Sequence, residues 1–189
     1  MPIAVKQSLV RNAPLVSVIA QVAQLCLKTR QSRNKLCLFG NGGSAADAQH
    51  IAGEFVGRSA FERPALPALA LSVNTSAVTA IGDDYSIKSF HVNSKHWRGP
   101  AMSSPVFPLV EIRQRIGWPL YCQKVGLHTL ALTGSSGEKL RNCSYLDHCL
   151  CVPSNDTPRI QECHILIGHI ISELVEQELF HAQGRVSRS

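Results

Sequence analysis

The stretch that decides the fold is Lys35–Glu54, KLCLFGNGGSAADAQHIAGE. Leu36, Cys37, Leu38 and Phe39 form an apolar run of strand length, Gly40-Asn41-Gly42-Gly43 breaks it, and Ser44 opens a run of good helix formers from Ala45 to Val56. An apolar strand that ends in a glycine turn, with serine at the helix entrance, is how α/β proteins present a phosphate site. The glycines let backbone N–H groups approach an anion, and the helix N-terminus adds its positive dipole. The glycine spacing is neither the dinucleotide fingerprint nor the Walker lysine loop. A bare glycine turn is as often only a turn. His50 and Glu54, four residues apart, share one face of the predicted helix.

Outward from this stretch, strands and helices alternate. Pro14 fits a helix start, and Leu15, Val18, Ile19, Val22, Leu25 and Cys26 recur at helical spacing, which predicts an N-terminal helix over 12–33. Its apolar stripe could pack on its own domain or on another subunit. Ala68–Ser72 reads as a second strand, followed by a short helix over Ala77–Ile81 and an acidic turn, Gly82-Asp83-Asp84-Tyr85. Thr129–Thr133 and Leu146–Val152 read as further strands, and Gly134-Ser135-Ser136-Gly137 as another strand-to-helix turn. Asp156-Thr157-Pro158 caps a last helix whose apolar face (Ile160, Cys163, Ile167, Ile170, Ile171, Leu174, Val175) runs to about Phe180. The tail from Gly184 is polar. The fold class expected is α/β: a doubly wound, mostly parallel open sheet flanked by helices, with the ligand beyond the strand carboxyl ends.

At 189 residues the chain is read as one domain, 1–189, with enough length for a core that needs no staples. No apolar run reaches the roughly 20 residues of a membrane span. Lys6 and Arg11 interrupt any signal-peptide pattern, and the seven cysteines lack metal-finger spacing and sit mostly in apolar contexts, so the expected compartment is the cytoplasm. Of the net charge of +6, residues 86–124 carry +5, together with Trp97, Trp118 and four of the ten prolines. A basic segment with aromatics is one form a nucleic-acid arm takes, but the concentration of charge in one irregular stretch has another explanation, given below.

GNGGSAADAQHIAGE, RPALPALAL, TAIGDDY, LALTGSSG and VPSNDTPRIQECHILIGHI together resemble the phosphoheptose isomerases of the sugar isomerase (SIS) domain superfamily. The likeness runs from about Leu15 to Phe180, with roughly Ser89–Lys124 excepted. It implies the SIS fold and a cytoplasmic homotetramer that converts sedoheptulose 7-phosphate, a sugar phosphate, into D-glycero-D-manno-heptose 7-phosphate for surface polysaccharide. Position by position, the resemblance implies a substrate loop at Asn41, Gly42, Gly43 and Ser44. It implies substrate contacts at Asp83 (asparagine in the family) and Asp84, and catalytic roles for Glu54 and His169. Gln161 and Glu54 would also touch substrate. A zinc ion would be held by His50, Glu54, Gln161 and His169. His148, His164 and His181 match no family role and are expected to be structural or exposed.

The chemistry suits these residue types. Moving a carbonyl between C2 and C1 means taking a proton from one carbon and returning it to its neighbour, which a carboxylate or imidazole can do if the enediolate is stabilised. His, Glu and Gln are the N and O ligands of an open zinc site. Gln161 and His169, eight residues apart, differ by about 80° around a helix, so both can face one pocket. Taken singly, His50 is more often a solvated histidine than a ligand, and Glu54 a surface carboxylate. Metal binding therefore leans on the resemblance.

Between Tyr85 and Gly126 the family expects a helix, a strand and a phosphate-gripping loop, Gly-Ile-Ser-Thr-Ser-Gly-Asn-Ser. Here stands SFHVNSKHWRGPAMSSPVFPLVEIRQRIGWPLYCQK, without a sustained helical or strand period. Joining the last base of each codon to the first two of the next, with free third bases, lets Pro105–Arg113 read Gly-Ile-Ser-Thr-Ser-Gly-Asn-Ser in order. Pro100–Ser103 likewise reads Gly-Asp-Val, the valine being forced by the single codon of Met102. The expectation is a frameshift entered near Lys88 and compensated near Lys124, costing the chain a central strand, most of its phosphate grip and most of its activity. Two other readings compete. One is a non-catalytic SIS-domain regulator that binds the replication initiator protein, of which the segment ELFHAQ is mildly reminiscent. The other is a basic nucleic-acid arm over 89–124. Retention of Glu54, Gln161 and His169 favours the enzyme.

Overall fold

The computed structural model describes residues 2–32, 34–60, 62–76, 78–80, 106–110 (backbone only) and 126–180, with Lys139 likewise described by its backbone. Asp83, Asp84, His181, the tail and most of the 89–124 segment lie outside these residues. Five strands form one parallel sheet: β1 (Lys35–Phe39), β2 (Ala68–Ala70), β3 (Val106–Val110), β4 (Leu130–Gly134) and β5 (His148–Val152), in the order β2-β1-β3-β4-β5. Parallel strands covered on both faces read as continuous apolar runs, and LCLF in β1 and LAL in β4 do so. The last strand begins at His148 rather than Leu146, and two larger strand expectations change. Ala68–Ser72 is a strand only to Ala70, where a 3-10 turn (Leu71–Val73) takes over.

The second change falls in the middle segment. The strand expected to be lost there is present in the backbone, since Val106–Val110 pairs with all five residues of β1 and with Leu130 and Ala131 of β4. Pro108 has no N–H for the ladder and sits opposite Cys37 in the centre of the sheet, a place proline seldom takes.

The N-terminal helix predicted over 12–33 is α2 (Ala13–Gln31), and a separate α1 (Pro2–Arg11) precedes it. The break is chemical: Asn12 accepts the Leu15 N–H through Oδ1 at 3.1 Å and caps α2, with Pro14 in its first turn. α1 is held by burial of Leu9 and by an ion pair from Lys6 to Glu162 at 3.6 Å. Among the described residues no single helix is long and apolar enough to cross a membrane.

α3 (Gly43–Val56) follows β1, α4 (Glu138–Arg141) follows β4, and α5 (Thr157–Phe180) follows β5; residues 75–76 and 78–80 are helical. The main core joins α2, α3 and α5 over one sheet face, through Ile19, Val22, Ile51, Phe55, Ile167 and Ile171 among others. The stripe on α2 is thus used within its own chain, against α5 and the sheet. A smaller cluster, centred on Ala131 and Leu140, lies under α4 on the opposite face. The six described cysteines are free thiols, and burial pushes Cys26 and Cys37 up to about 12.

Candidate active site between two helices

In the order β2-β1-β3-β4-β5 the winding reverses between β1 and β3, and the crevice at such a reversal is where open α/β sheets take ligands. The glycine turn leaves β1 at that point. Asn41, Gly42 and Gly43 are exposed, and Gly42 carries φ of +57°, a conformation that favours glycine. The Ser44 and Ala45 N–H groups close the turn on the carbonyls of Asn41 and Gly42, both at 3.1 Å. Ser44 itself is buried and faces a small cavity shared with Phe39, Asp47, Ala48, Ile51, Leu132 and His164.

From this turn α3 runs alongside α5, in the same direction. Gly43 and Asp47 meet Gln161, Ile51 meets Gly168, and His50 meets His169. Gly168 makes the approach possible: a Cβ there would stand 2.5 Å from Ile51 Cδ1. The i, i+4 spacing of His50 and Glu54 then puts both opposite His169. The two imidazole Nε2 atoms lie 2.7 Å apart, with the rings edge to face at 84°. One ring donates and the other accepts, according to tautomer. Glu54 Oε1 lies 3.5 Å from His50 Nε2 and 4.0 Å from His169 Nε2. All three side chains retain solvent access.

One ligand atom from each of His50, Glu54 and His169 falls within 4.8 Å of the others. Two nitrogens on one tetrahedral Zn²⁺ sit about 3.4 Å apart at the usual bond length, so the imidazoles need open by less than about 1 Å to admit an ion. Two imidazoles and a carboxylate with an open side are a donor set that fits zinc.

Gln161 packs on the first turn of α3. Its amide lies against Gly43, and its Nε2 donates to Asp47 Oδ1 at 3.2 Å. Burial raises the Asp47 carboxyl, with the Gln161 N–H and the nearby His50 acting the other way. Two other described histidines, His164 and His148, lie away from this cluster. His164 is 4% exposed with its Nε2 3.3 Å from the Thr133 carbonyl oxygen, and burial pushes it down to about 4. His148, in β5, is also lowered, chiefly by burial.

Sequence reasoning missed three residues around this site: Asp47, Arg63 and Glu176. The Glu176 carboxylate, fully buried, accepts from Arg63 Nε at 2.7 Å and from the Ser59 and Ala60 N–H groups at 3.1 and 2.5 Å. Burial alone would raise its pKa, but the Ala60, Arg63 and Ser59 donors outweigh it and the net direction is down. The Arg63 Nη atoms reach the carbonyls of Phe55 at 2.8 Å and Glu54 at 2.7 Å, closing the end of α3. Asp47 stood within the quoted helix, four residues after Gly43 and on its face, which was the one available signal. For Arg63 and Glu176, separated by 113 positions, there was none.

The SIS domain family matches residues 5–95 of the chain. The phosphoheptose isomerase of Aneurinibacillus thermoaerophilus is 44% identical, over 93% of this chain and 89% of its own. That of Sulfurimonas denitrificans is 42% identical, over 93% and 90%. Among solved structures, the phosphoheptose isomerase of Neisseria gonorrhoeae aligns with a TM-score of 0.78 at 34% identity, covering 93% of each chain. The one from Francisella tularensis aligns with a TM-score of 0.80 at 27% identity, covering 93% and 92%.

Proposed function

The chain belongs to the phosphoheptose isomerases of the SIS domain family, and from that premise we propose that it converts sedoheptulose 7-phosphate into D-glycero-D-manno-heptose 7-phosphate, acting in the cytoplasm as a single-domain subunit of a homotetramer. It is an aldose–ketose isomerase. The observation that carries the reading is the meeting of Glu54 and His169 from separate helices, 4.0 Å apart beside the glycine turn. The reaction loses and gains no atoms: one carbon-bound proton leaves C1 and arrives at C2, while a hydroxyl proton passes from O1 to O2. Glu54 and His169 share these transfers, each within reach of the other, so a proton taken by one can be returned by the pair. Asn41, Gly42, Gly43 and Ser44 orient the sugar at the mouth of the crevice. Gln161, Asp83 and Asp84 contact its hydroxyls. When bound through His50, Glu54, Gln161 and His169, zinc supplies Lewis-acid polarisation of a substrate oxygen.

The segment 89–124 is read as out-of-frame translation, so the hydroxyl-rich phosphate loop is missing and turnover by this copy is low. Two observations support this: the SIS match ends at residue 95, inside the segment, and the strand that follows carries Pro108 in a central position. Codons in the gene that lack the required third bases would end the frameshift reading. The isomerase reading is tested by incubating purified protein with sedoheptulose 7-phosphate. Slow formation of the aldose that vanishes in both Glu54→Gln and His169→Ala supports it, whereas turnover surviving both substitutions sinks it. A non-catalytic regulator has no use for Glu54, Gln161 and His169 together.

A further inference from the structure

Gln161 is held from two sides by the first turns of α3. A Cβ on Gly43 would stand 2.5 Å from both Nε2 and Oε1 of the Gln161 amide, so the amide rests on bare backbone. One turn further along, Asp47 Oδ1 accepts from Gln161 Nε2 at 3.2 Å. The other carboxylate oxygen, Oδ2, is buried and has no partner among the described residues, so the carboxylate has little else to bind. The two ends of a glutamine amide are nearly equal in size and opposite in chemistry, and only the hydrogen-bond network decides which way it faces. A carboxylate offers acceptors alone. It therefore admits one orientation, with the NH₂ toward Asp47 and the carbonyl oxygen left for the site.

We propose that Asp47 is a positioning residue that claims the Gln161 NH₂ and so makes the carbonyl oxygen the atom offered to the sugar and to a metal at His50, Glu54 and His169. The proposal rests on the role given to Gln161 above. The orientation matters because an amide nitrogen has no lone pair to give a cation, while a carbonyl oxygen does. A reversed amide would point N–H donors at the ion.

The test uses the full chain and two substitutions. Asp47→Leu keeps the volume and removes every acceptor; Asp47→Asn keeps the shape and offers the amide either end. The first readout is the Gln161 side-chain NH₂ signal by NMR in metal-free protein, and the second is affinity for Zn²⁺ alone, by competition with a chromophoric chelator. The expected result is a shifted, faster-exchanging NH₂ signal in both variants. Zn²⁺ binding should weaken about 10-fold in Asp47→Leu and less in Asp47→Asn, the scale on which hydrogen bonds that orient a metal's ligands act. An NH₂ signal unmoved in both variants overturns the proposal. So does unchanged Zn²⁺ affinity in both while His50→Ala loses it. Zn²⁺ binding that His50→Ala leaves intact would instead overturn the metal reading of the cluster, and the NH₂ signal would still decide the orientation of the amide.

Discussion

Two histidines on α5, five residues apart, live in opposite surroundings. His169 is accessible and meets His50 and Glu54, whereas His164 is buried against the Thr133 carbonyl and held neutral, its pKa pushed down to about 4. The unfolded chain binds a proton on His164 below about pH 6.5, and the folded chain does so only below about 4. Stability from this residue is therefore complete above pH 6.5 and is lost as pH falls toward 4. Between pH 7 and pH 5 the loss should be about 2 kcal/mol, read from urea midpoints. His164→Asn should flatten that slope, and an unchanged slope would assign it elsewhere. For the pair proposed as catalytic, Glu54 and His169, the expectation concerns rate. Glu54→Gln should lower kcat by roughly 10²–10⁴-fold with the fold intact by circular dichroism. The burial of His164 was half legible in the sequence, since it flanks Cys163 in the apolar stripe. The role proposed for His169 rests on the family likeness, because a histidine on a helix face carries no mark of what it will meet.

At the scale of elements, the site is two parallel helices fastened at three levels: Gln161 on Gly43 and Asp47, Ile51 on Gly168, and the end of α3 on α5 through Arg63 and Glu176. The last is a buried ion pair, with side chains 1% and 0% exposed. Removing one partner strands the other charge away from water, so Arg63→Leu or Glu176→Gln should each cost about 3–5 kcal/mol in chemical denaturation. Replacing both at once with apolar residues should cost less than the two single losses added together. Gly168→Ala gains about 1 kcal/mol in helix propensity but drives a methyl into Ile51, at about 1–3 kcal/mol. It should destabilise the protein, and Ile51→Ala should be less harmful in its presence than in the wild type. The helices themselves were legible from period and caps. Their fastening was not, because Arg63 reads as one more charge in a proline-flanked loop and Glu176 as one more polar residue on a long helix. α1 was missed because Asn12 and Pro14 announce the start of the next helix and nothing between Pro2 and Arg11 announces a helix of its own.

At the scale of the molecule, the parallel sheet followed from strand–turn–helix alternation, whereas the middle strand did not, because Pro108 interrupts its apolar run from Val106 to Val110 and the segment around it keeps no sustained period. β1 and β4 are apolar runs that any parallel sheet would accept. The backbone of Val106–Val110 holds the position between them although Pro108 cannot complete the ladder. If 89–124 is misread, its wrong side chains have been laid on a frame that β1 and β4 define. Restoring the frame, so that Pro105–Arg113 becomes Gly-Ile-Ser-Thr-Ser-Gly-Asn-Ser, removes Pro108 from the middle of the sheet and supplies hydroxyls and backbone N–H groups for a phosphate. The restored protein should melt several degrees higher, since even 1–2 kcal/mol moves a domain of this size by about 2–8 °C. On that reading its KM for sedoheptulose 7-phosphate should fall at least 10-fold, through the phosphate contacts the restored loop adds. The increase in kcat/KM should need Glu54 in both proteins. A restored frame that changes neither melting temperature nor KM would mean that the segment, as it stands, already does the work of the loop.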